Sequence, residues 1–417
     1  MREAQGGHWF SAAGRDRVTP YDQARTSSFL GPQEVLAGDG ALTEAGPRMA
    51  RLAQGEVLLV TDAHLLEIGV ADRAVGSLEQ SGLDVGIYGE VTGEPDLEIG
   101  ERVAEVARSR QWAGIVGLGG GSSLDLAKIA AAAATNDLAI TDFVGVDRLA
   151  HGPRPLLLIP TTAGTGSEAT SIAMISVEGR KQIINDRRLV PHVAVLDATL
   201  TFSLPPPVTA ATGLDALSHA AETFISTRAT ALTEAMSRQA MRMLSTALRR
   251  AFYDGSDLEA RRATLYGAHI AGRALNASSV LGHSIAYTIA NRAHLAHGIT
   301  CAMALPFCLA YSLPDGEVRG RLDVLAEEVA HEEVRTGLDL LRWLEELKEE
   351  LGVPDSLEVV GIEKDETLAM AQECLELYPR PNNPVPLQLE RLGELYESLW
   401  RGDVQGYVQH VLNEDRS

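Results

Sequence analysis

The stretch Gly114-Ile115-Val116-Gly117-Leu118-Gly119-Gly120-Gly121-Ser122-Ser123-Leu124-Asp125-Leu126-Ala127-Lys128 decides how the first half of the chain reads. An apolar run ending in glycines has the composition of a strand buried on both faces, and the Ala-rich segment Leu124 to Ala134 reads as a helix. A strand that turns into a helix through glycine gathers backbone N–H groups and the positive end of a helix dipole at one point. Gly119, Gly120 and Gly121 carry no Cβ to hold a phosphate away from the backbone, and Ser122 adds a hydroxyl. A tight βα turn without a ligand explains the same residues, and Ser122 with Asp125 matches a capping box. The spacing is not the GxGxxG fingerprint of an ordinary dinucleotide fold.

Outward from this turn, the pattern alternates. Upstream come an apolar strand at Val57 to Val60, a helix from Leu65 to Gln80, a short run from Asp84 to Tyr88 and a helix from Leu97 to Arg110. Downstream stand the strand Leu156 to Ile159 and shorter strands near Met174 to Val177 and Ala194 to Leu196. Such βαβ alternation implies a parallel sheet covered by helices. The sheet domain is expected to end near Leu204, because Pro205-Pro206-Pro207 cannot continue a helix or a central strand. Beyond it, Leu232, Met236, Ala240, Met243, Leu244, Ala247 and Leu248 recur at helical steps. The expected organisation is an N-terminal extension over 1–28, an α/β domain with Rossmann-like nucleotide binding over 29–205, and an all-α domain over 206–417.

A second small-residue turn, Pro160-Thr161-Thr162-Ala163-Gly164-Thr165-Gly166-Ser167-Glu168, follows the strand ending at Ile159. Thr161 and Thr162 offer hydroxyls, and two such turns at neighbouring strand ends make a cofactor crevice. Asp62 ends the first strand, where a carboxylate accepts hydrogen bonds from an adenosine ribose and repels a 2′-phosphate, favouring NAD over NADP. A helix N-cap explains Asp62 equally well, and the two roles are compatible.

Composition narrows the partners. The 417 residues are 45% hydrophobic but only 5% aromatic, which describes a globular protein with an aliphatic core and enough length for two domains. A formal charge of −21 disfavours nucleic acid and anionic lipid as partners. Cys301, Cys308 and Cys374 are odd in number and lack CxxC spacing, so reduced thiols in the cytoplasm are expected rather than disulfides. No apolar run is long enough to span a bilayer.

Asp215 and His219 stand four apart, so on a helix they share a face one turn apart. His283 and His297 would lie about 21 Å apart on one straight helix, too far to share an ion. The chain must therefore bend between them, with Asn291 to Ala296 the expected place. One aspartate and three histidines suit Fe²⁺ or Zn²⁺, and the set lacks the thiolates of a structural zinc site.

With these residues in view, the chain resembles the iron-containing (group III) alcohol dehydrogenases over roughly Phe29 to Trp400. The family's GGGSxxDxAK signature stands here as Gly119 to Lys128, its TTxGTGSE as Thr161 to Glu168, and its DAxxH as Asp215-Ala216-Leu217-Ser218-His219. Its later histidines match His283 and His297, and Arg380-Pro381-Asn382-Asn383-Pro384 looks like its closing motif. The resemblance implies a dehydroquinate synthase-like architecture and a homo-oligomer. By resemblance Asp215, His219, His283 and His297 take the four ligand roles, while nucleotide-binding roles fall on Asp62, Gly119 to Ser122, Thr161, Thr162 and Lys181. The implied activity is interconversion of an alcohol and an aldehyde or ketone, with NAD and a divalent metal.

One departure concerns proton transfer. Many relatives carry a further histidine four residues after the first of the late pair, and here that residue is Tyr287. It either relays a proton, its pKa drawn down from about 10 by a nearby cation, or only shapes the pocket. His294, in the expected bend, is a second candidate for the relay. Ile172 and Met174 hint at an apolar pocket wall. Two rival readings stand beside this one. The first is a zinc-dependent polyol dehydrogenase of the glycerol type, or another NAD and metal enzyme of this architecture, although four lysines and no basic motif count against a sugar-phosphate cyclase. The second is a non-catalytic relative that keeps the metal.

Overall fold

The computed structural model describes residues 26–414, so the extension read over 1–28 lies outside the described residues except for its last few positions. The first half runs β1 (Glu34–Ala37), α1 (Ala45–Leu52), β2 (Glu56–Asp62), α2 (Ala63–Glu67), α3 (Val70–Gln80), β3 (Asp84–Val91), α4 (Leu97–Arg108), β4 (Gly114–Gly119), α5 (Gly121–Ala133), α6 (Ile140–Phe143), β5 (Gly145–Val146), β6 (Leu156–Pro160), β7 (Ile172–Val177), β8 (Arg180–Asn185) and β9 (Val193–Leu196). Six strands pair in parallel in the order β1-β9-β6-β4-β2-β3, the sheet that the alternation implies. Successive residues of its inner strands serve opposite faces. Leu58, Val60, Ile115, Leu156 and Leu158 pack with Val103, Ala107 and Leu126 of α4 and α5, while Val57, Leu59, Val116, Leu118 and Leu157 pack with Met49, Ala74 and Leu78 of α1 and α3. Burial on both faces is why these strands read as unbroken apolar runs.

Four details depart from the sequence reading. The helix expected over Leu65 to Gln80 is two helices, because Gly69 takes a left-handed φ of 74° between α2 and α3. The helix expected from Leu124 begins at Gly121. Strands β1, β5 and β8 were not anticipated; β5 and β8 join β7 in a small second sheet, in which β7 and β8 form an antiparallel hairpin. Finally, Pro206 and Pro207 do not keep the chain out of a helix but open one, where a missing N–H costs nothing.

From there the described chain is helical: α7 (Pro206–Ile225), α8 (Ala231–Tyr253), α9 (Leu258–Ala274), α10 (Leu281–Ala290), α11 (His297–Tyr311), α12 (Gly316–Ala326), α13 (Gly337–Glu350), α14 (Thr367–Leu377), α15 (Leu389–Arg401) and α16 (Val404–Glu414). Helix α7 packs against α8, α9, α10 and α11 and is buried nearly all round. Polar side chains on such a helix need partners, which directs attention to Asp215, His219 and Glu222. Among the described residues, no helix is long and apolar enough to cross a membrane.

Candidate metal and cofactor site

The two small-residue turns leave adjacent strands side by side. Gly119 of β4 is in register with Pro160 of β6, and Thr161 donates its backbone N–H to the Gly119 carbonyl at 2.9 Å. Gly119 has a φ of 147°, and a Cβ there would meet Ser123 Oγ at 2.5 Å and Asp62 Oδ2 at 3.3 Å, so only glycine fits. Asp62 caps α2 through Oδ1, which accepts from Leu65 N at 2.9 Å, while its other oxygen faces the glycine turn. Gly120 lies against the Thr162 side chain.

The capping box expected between Ser122 and Asp125 does not form; α5 starts with no side-chain cap. The Asp125 carboxylate turns instead to the second turn and its strand, accepting from Ser167 Oγ at 2.6 Å and Met174 N at 3.0 Å. Lys128, fully buried, donates to the carbonyls of Ser167 at 2.6 Å and Ile172 at 2.5 Å and to Thr170 Oγ1. Burial brings the Lys128 pKa down to about 8, opposed by Asp125 and Glu168. Glu168 in turn pairs with His269 Nδ1 of α9 at 2.9 Å, carrying the tie into the helical half.

In the helical half the four expected ligands converge. From Asp215 Oδ1, the Nε2 atoms of His219, His283 and His297 lie at 3.7, 3.8 and 4.0 Å. Asp215 and His219 come from one face of α7, His283 from α10 and His297 from the first turn of α11. The chain turns between α10 and α11 over residues 291–296, where the spacing of His283 and His297 requires a bend. Asp215 Oδ1 and His283 Nε2 are buried without a hydrogen-bond partner. Buried polar atoms left unpaired are costly, and several acceptors aimed at one point are the donor set of a cation. The residues therefore fit a divalent metal. Burial lowers the pKa of His219, with Asp215 opposing, and lowers that of His297 well below 6.5, aided by Lys181 and His283; neutral imidazole is the ligand form.

Two residues beside this set escaped the sequence reading. Glu222, one further turn along α7, holds His283 Nδ1 at 2.6 Å and accepts from the backbone of Val280 and His283. Its signal was its position, three residues past His219. Cys301 sits one turn past His297 on α11, its sulfur 3.5 Å from His297 Nε2.

A cavity of about 160 Å³ joins the two halves, lined by Gly121, Ser122, Thr165, Met174, Ile175, Lys181, Tyr287 and His297 among others. Met174 is in its wall as expected, but Ile172 faces a separate cavity and Ile175 takes its place. Lys181 Nζ pairs with Glu94 at 2.8 Å and lies 5.9 Å from the Tyr287 ring centroid. Burial pulls its pKa down, but Glu94 outweighs that and leaves it raised. Tyr287 stacks on His297 at 5.6 Å. With no metal bound, its pKa is raised, because burial outweighs the charges of Arg380 and Lys181. His294 is exposed on the turn between α10 and α11 and does not line the cavity.

Residues 32–198 match the family described as "Iron-containing alcohol dehydrogenase", and residues 209–400 match "Fe-containing alcohol dehydrogenase family, C-terminal". The chain belongs to the iron-containing alcohol dehydrogenase family. The chain is 34% identical to a long-chain-alcohol dehydrogenase of Geobacillus thermodenitrificans, over 88% of this chain and 95% of that one. It is 32% identical to an NAD-dependent methanol dehydrogenase of Bacillus methanolicus, over 89% and 99%. A crystal structure of 1,3-propanediol oxidoreductase superposes with a TM-score of 0.85 at 28% identity, covering 90% of this chain and all of the other. An alcohol dehydrogenase from Oenococcus oeni does so with 0.84, also at 28%. These matches do not favour the glycerol-type zinc alternative.

Proposed function

We infer that this protein interconverts an alcohol and an aldehyde or ketone by hydride transfer with NAD, using a divalent metal held by Asp215, His219, His283 and His297. Fe²⁺ is the first choice, from the family, and Zn²⁺ suits the same donors. The observation that carries the reading is the unpartnered Asp215 Oδ1 and His283 Nε2 converging with two more imidazoles beside a cavity that reaches the glycine turn. When bound, the metal supplies a Lewis acid toward the substrate oxygen.

The chain's own residues supply the rest. The free N–H groups at the start of α5, with Gly119, Gly120, Gly121 and Ser122, take the pyrophosphate. Asp62 takes the ribose hydroxyls and disfavours NADP, while Thr161 and Thr162 approach the cofactor from the neighbouring strand. Lys181, at the cavity wall, sits where it meets the cofactor or the substrate. Met174, Ile175 and Pro95 give the cavity apolar walls that keep water from the reacting carbon. Tyr287, protonated at neutral pH, is the proton donor beside the cluster; exposed His294 has no part in this reading. A cytoplasmic location and a homo-oligomer complete this reading, the first from three cysteines without CxxC spacing in the sequence and the second from the family resemblance.

The test is oxidation of NADH by a panel of aldehydes, with protein loaded anaerobically with Fe²⁺, with Zn²⁺, or with neither. Metal-dependent turnover is expected. Metal-loaded protein that fails to bind NADH in a fluorescence titration would overturn the reading.

A further inference from the structure

On α11 the residue one turn beyond His297 is Cys301, so the two share a helix face as Asp215 and His219 do on α7. The Cys301 sulfur lies 3.5 Å from His297 Nε2 and 3.9 Å from Nδ1, on the side of the nitrogen that faces Asp215. Donor atoms of Asp215, His283, His297 and Cys301 all lie within 4.8 Å of one another, a set that does not include His219, whose Nε2 approaches Asp215 Oδ1 at 3.7 Å. Donors bound to one ion at about 2.0 to 2.3 Å stand roughly 2.8 to 4.0 Å apart, with only a trans pair reaching about 4.6 Å, so side-chain adjustments of up to about 1 Å bring the set onto a single ion. Cys301 is only 1% exposed, and the unpartnered Asp215 Oδ1 and His283 Nε2 are aimed at the same point.

We propose that the Cys301 sulfur is a fifth protein donor to the metal, binding as thiolate with its proton passing to solvent. The proposal rests on the metal reading above and changes its chemistry. A site of oxygen and nitrogen donors becomes one with a soft donor, which favours Fe²⁺, Co²⁺ and Zn²⁺ over Mg²⁺ and Mn²⁺. The other thiols, Cys308 and Cys374, are buried in the helical core outside this donor set and serve as internal controls.

The experiment is absorption spectroscopy of the full-length protein loaded with Co²⁺ in place of the native ion. The expected wild-type spectrum has weak visible d–d bands and an intense near-ultraviolet band from sulfur-to-cobalt charge transfer. Cys301→Ser should keep the visible bands and lose the near-ultraviolet one, while Cys308→Ser and Cys374→Ser keep both. Visible bands without charge transfer in the wild type, or a charge-transfer band that survives Cys301→Ser, overturn the proposal and leave the metal reading standing. No cobalt bands at all overturn both. Should Cys301→Ser fail to fold, a band retained in both other serine variants assigns it to the remaining thiol, and a band lost in either one overturns the assignment.

Discussion

Glu222 touches no expected ligand atom of the metal, yet it fixes which nitrogen of His283 faces the cluster by taking Nδ1 at 2.6 Å. Carboxylates placed this way orient the ring and raise its basicity, and removing them typically weakens metal binding about 10- to 100-fold. Glu222→Gln is expected to lower affinity for Co²⁺ or Zn²⁺ by that order in a chelator competition, with the circular dichroism unchanged; unaltered affinity would show the contact to be incidental. The imidazoles carry a second consequence. His219 and His297 have pKa values below their ordinary 6.5, chiefly through burial, so both stay neutral in the folded apo protein where the unfolded chain is already protonated. The unfolded state then binds more protons, and stability rises with pH across the window from the lowered values up to about 6.5. Thermal unfolding of the apo protein is therefore expected to shift to lower temperature as pH falls from about 6.5, and His297→Ala should make that shift shallower. Tyr287→Phe tests the proton donor: lower turnover with an altered pH profile is expected, whereas an unchanged profile would leave the ring a wall of the cavity.

At the scale of elements, the cluster depends on how closely α11 approaches α7. A Cβ on Gly298 would stand 1.8 Å from the Ala211 carbonyl oxygen and 3.1 Å from Asp215 Cβ, with backbone on the near side and no room to yield. Gly298→Ala is expected to push α11 away, destabilise the fold by about 1–3 kcal/mol and separate His297 from its partners, losing metal in a chelator assay. Gly76→Ala, on α3 with open space around it, is the control and should be neutral or slightly stabilising. The inner strands were legible because burial on both faces leaves an unbroken apolar run. Strands β1 and β8 were not: β1 is a four-residue edge strand, and β8 is the middle strand of the small sheet but carries Arg180, Lys181 and Gln182, so pairing rather than hydrophobicity defines both. The start of α5 was misplaced because glycine reads as turn even where it supplies the first helical residues. The ligands on α7 were visible through four-residue spacing. Asp125 and Lys128 were opaque for another reason: their partners lie on other elements, and a buried lysine carries no spacing to read, whereas Cys301 stands four residues past His297 on α11 and its spacing was there to read.

For the molecule as a whole, the proposed metal donors and nucleotide-binding turns lie on different halves of the chain and face each other across the cavity. Asp215, His219 and His283 are fixed by helices, whereas Asp62 and the glycine turn are fixed by strand ends and tied across the join by Lys128, Glu168 and His269. That arrangement predicts separable functions. His219 is buried on α7 and does not line the cavity, so removing it deletes a ligand without altering the cofactor's walls. His219→Ala is expected to weaken metal retention and turnover strongly while the NADH dissociation constant from a fluorescence titration changes by no more than a few-fold. Ligand binding to the folded state alone stabilises by about 2.7 kcal/mol at a hundred times the dissociation constant. Adding Zn²⁺ at that excess should therefore raise the melting temperature of the wild type and raise that of His219→Ala much less, while NADH raises both. If His219→Ala instead lost NADH binding in step with metal, the two sites would be one energetic unit, and the tie between the halves would have to run through the metal rather than through Lys128 and Glu168.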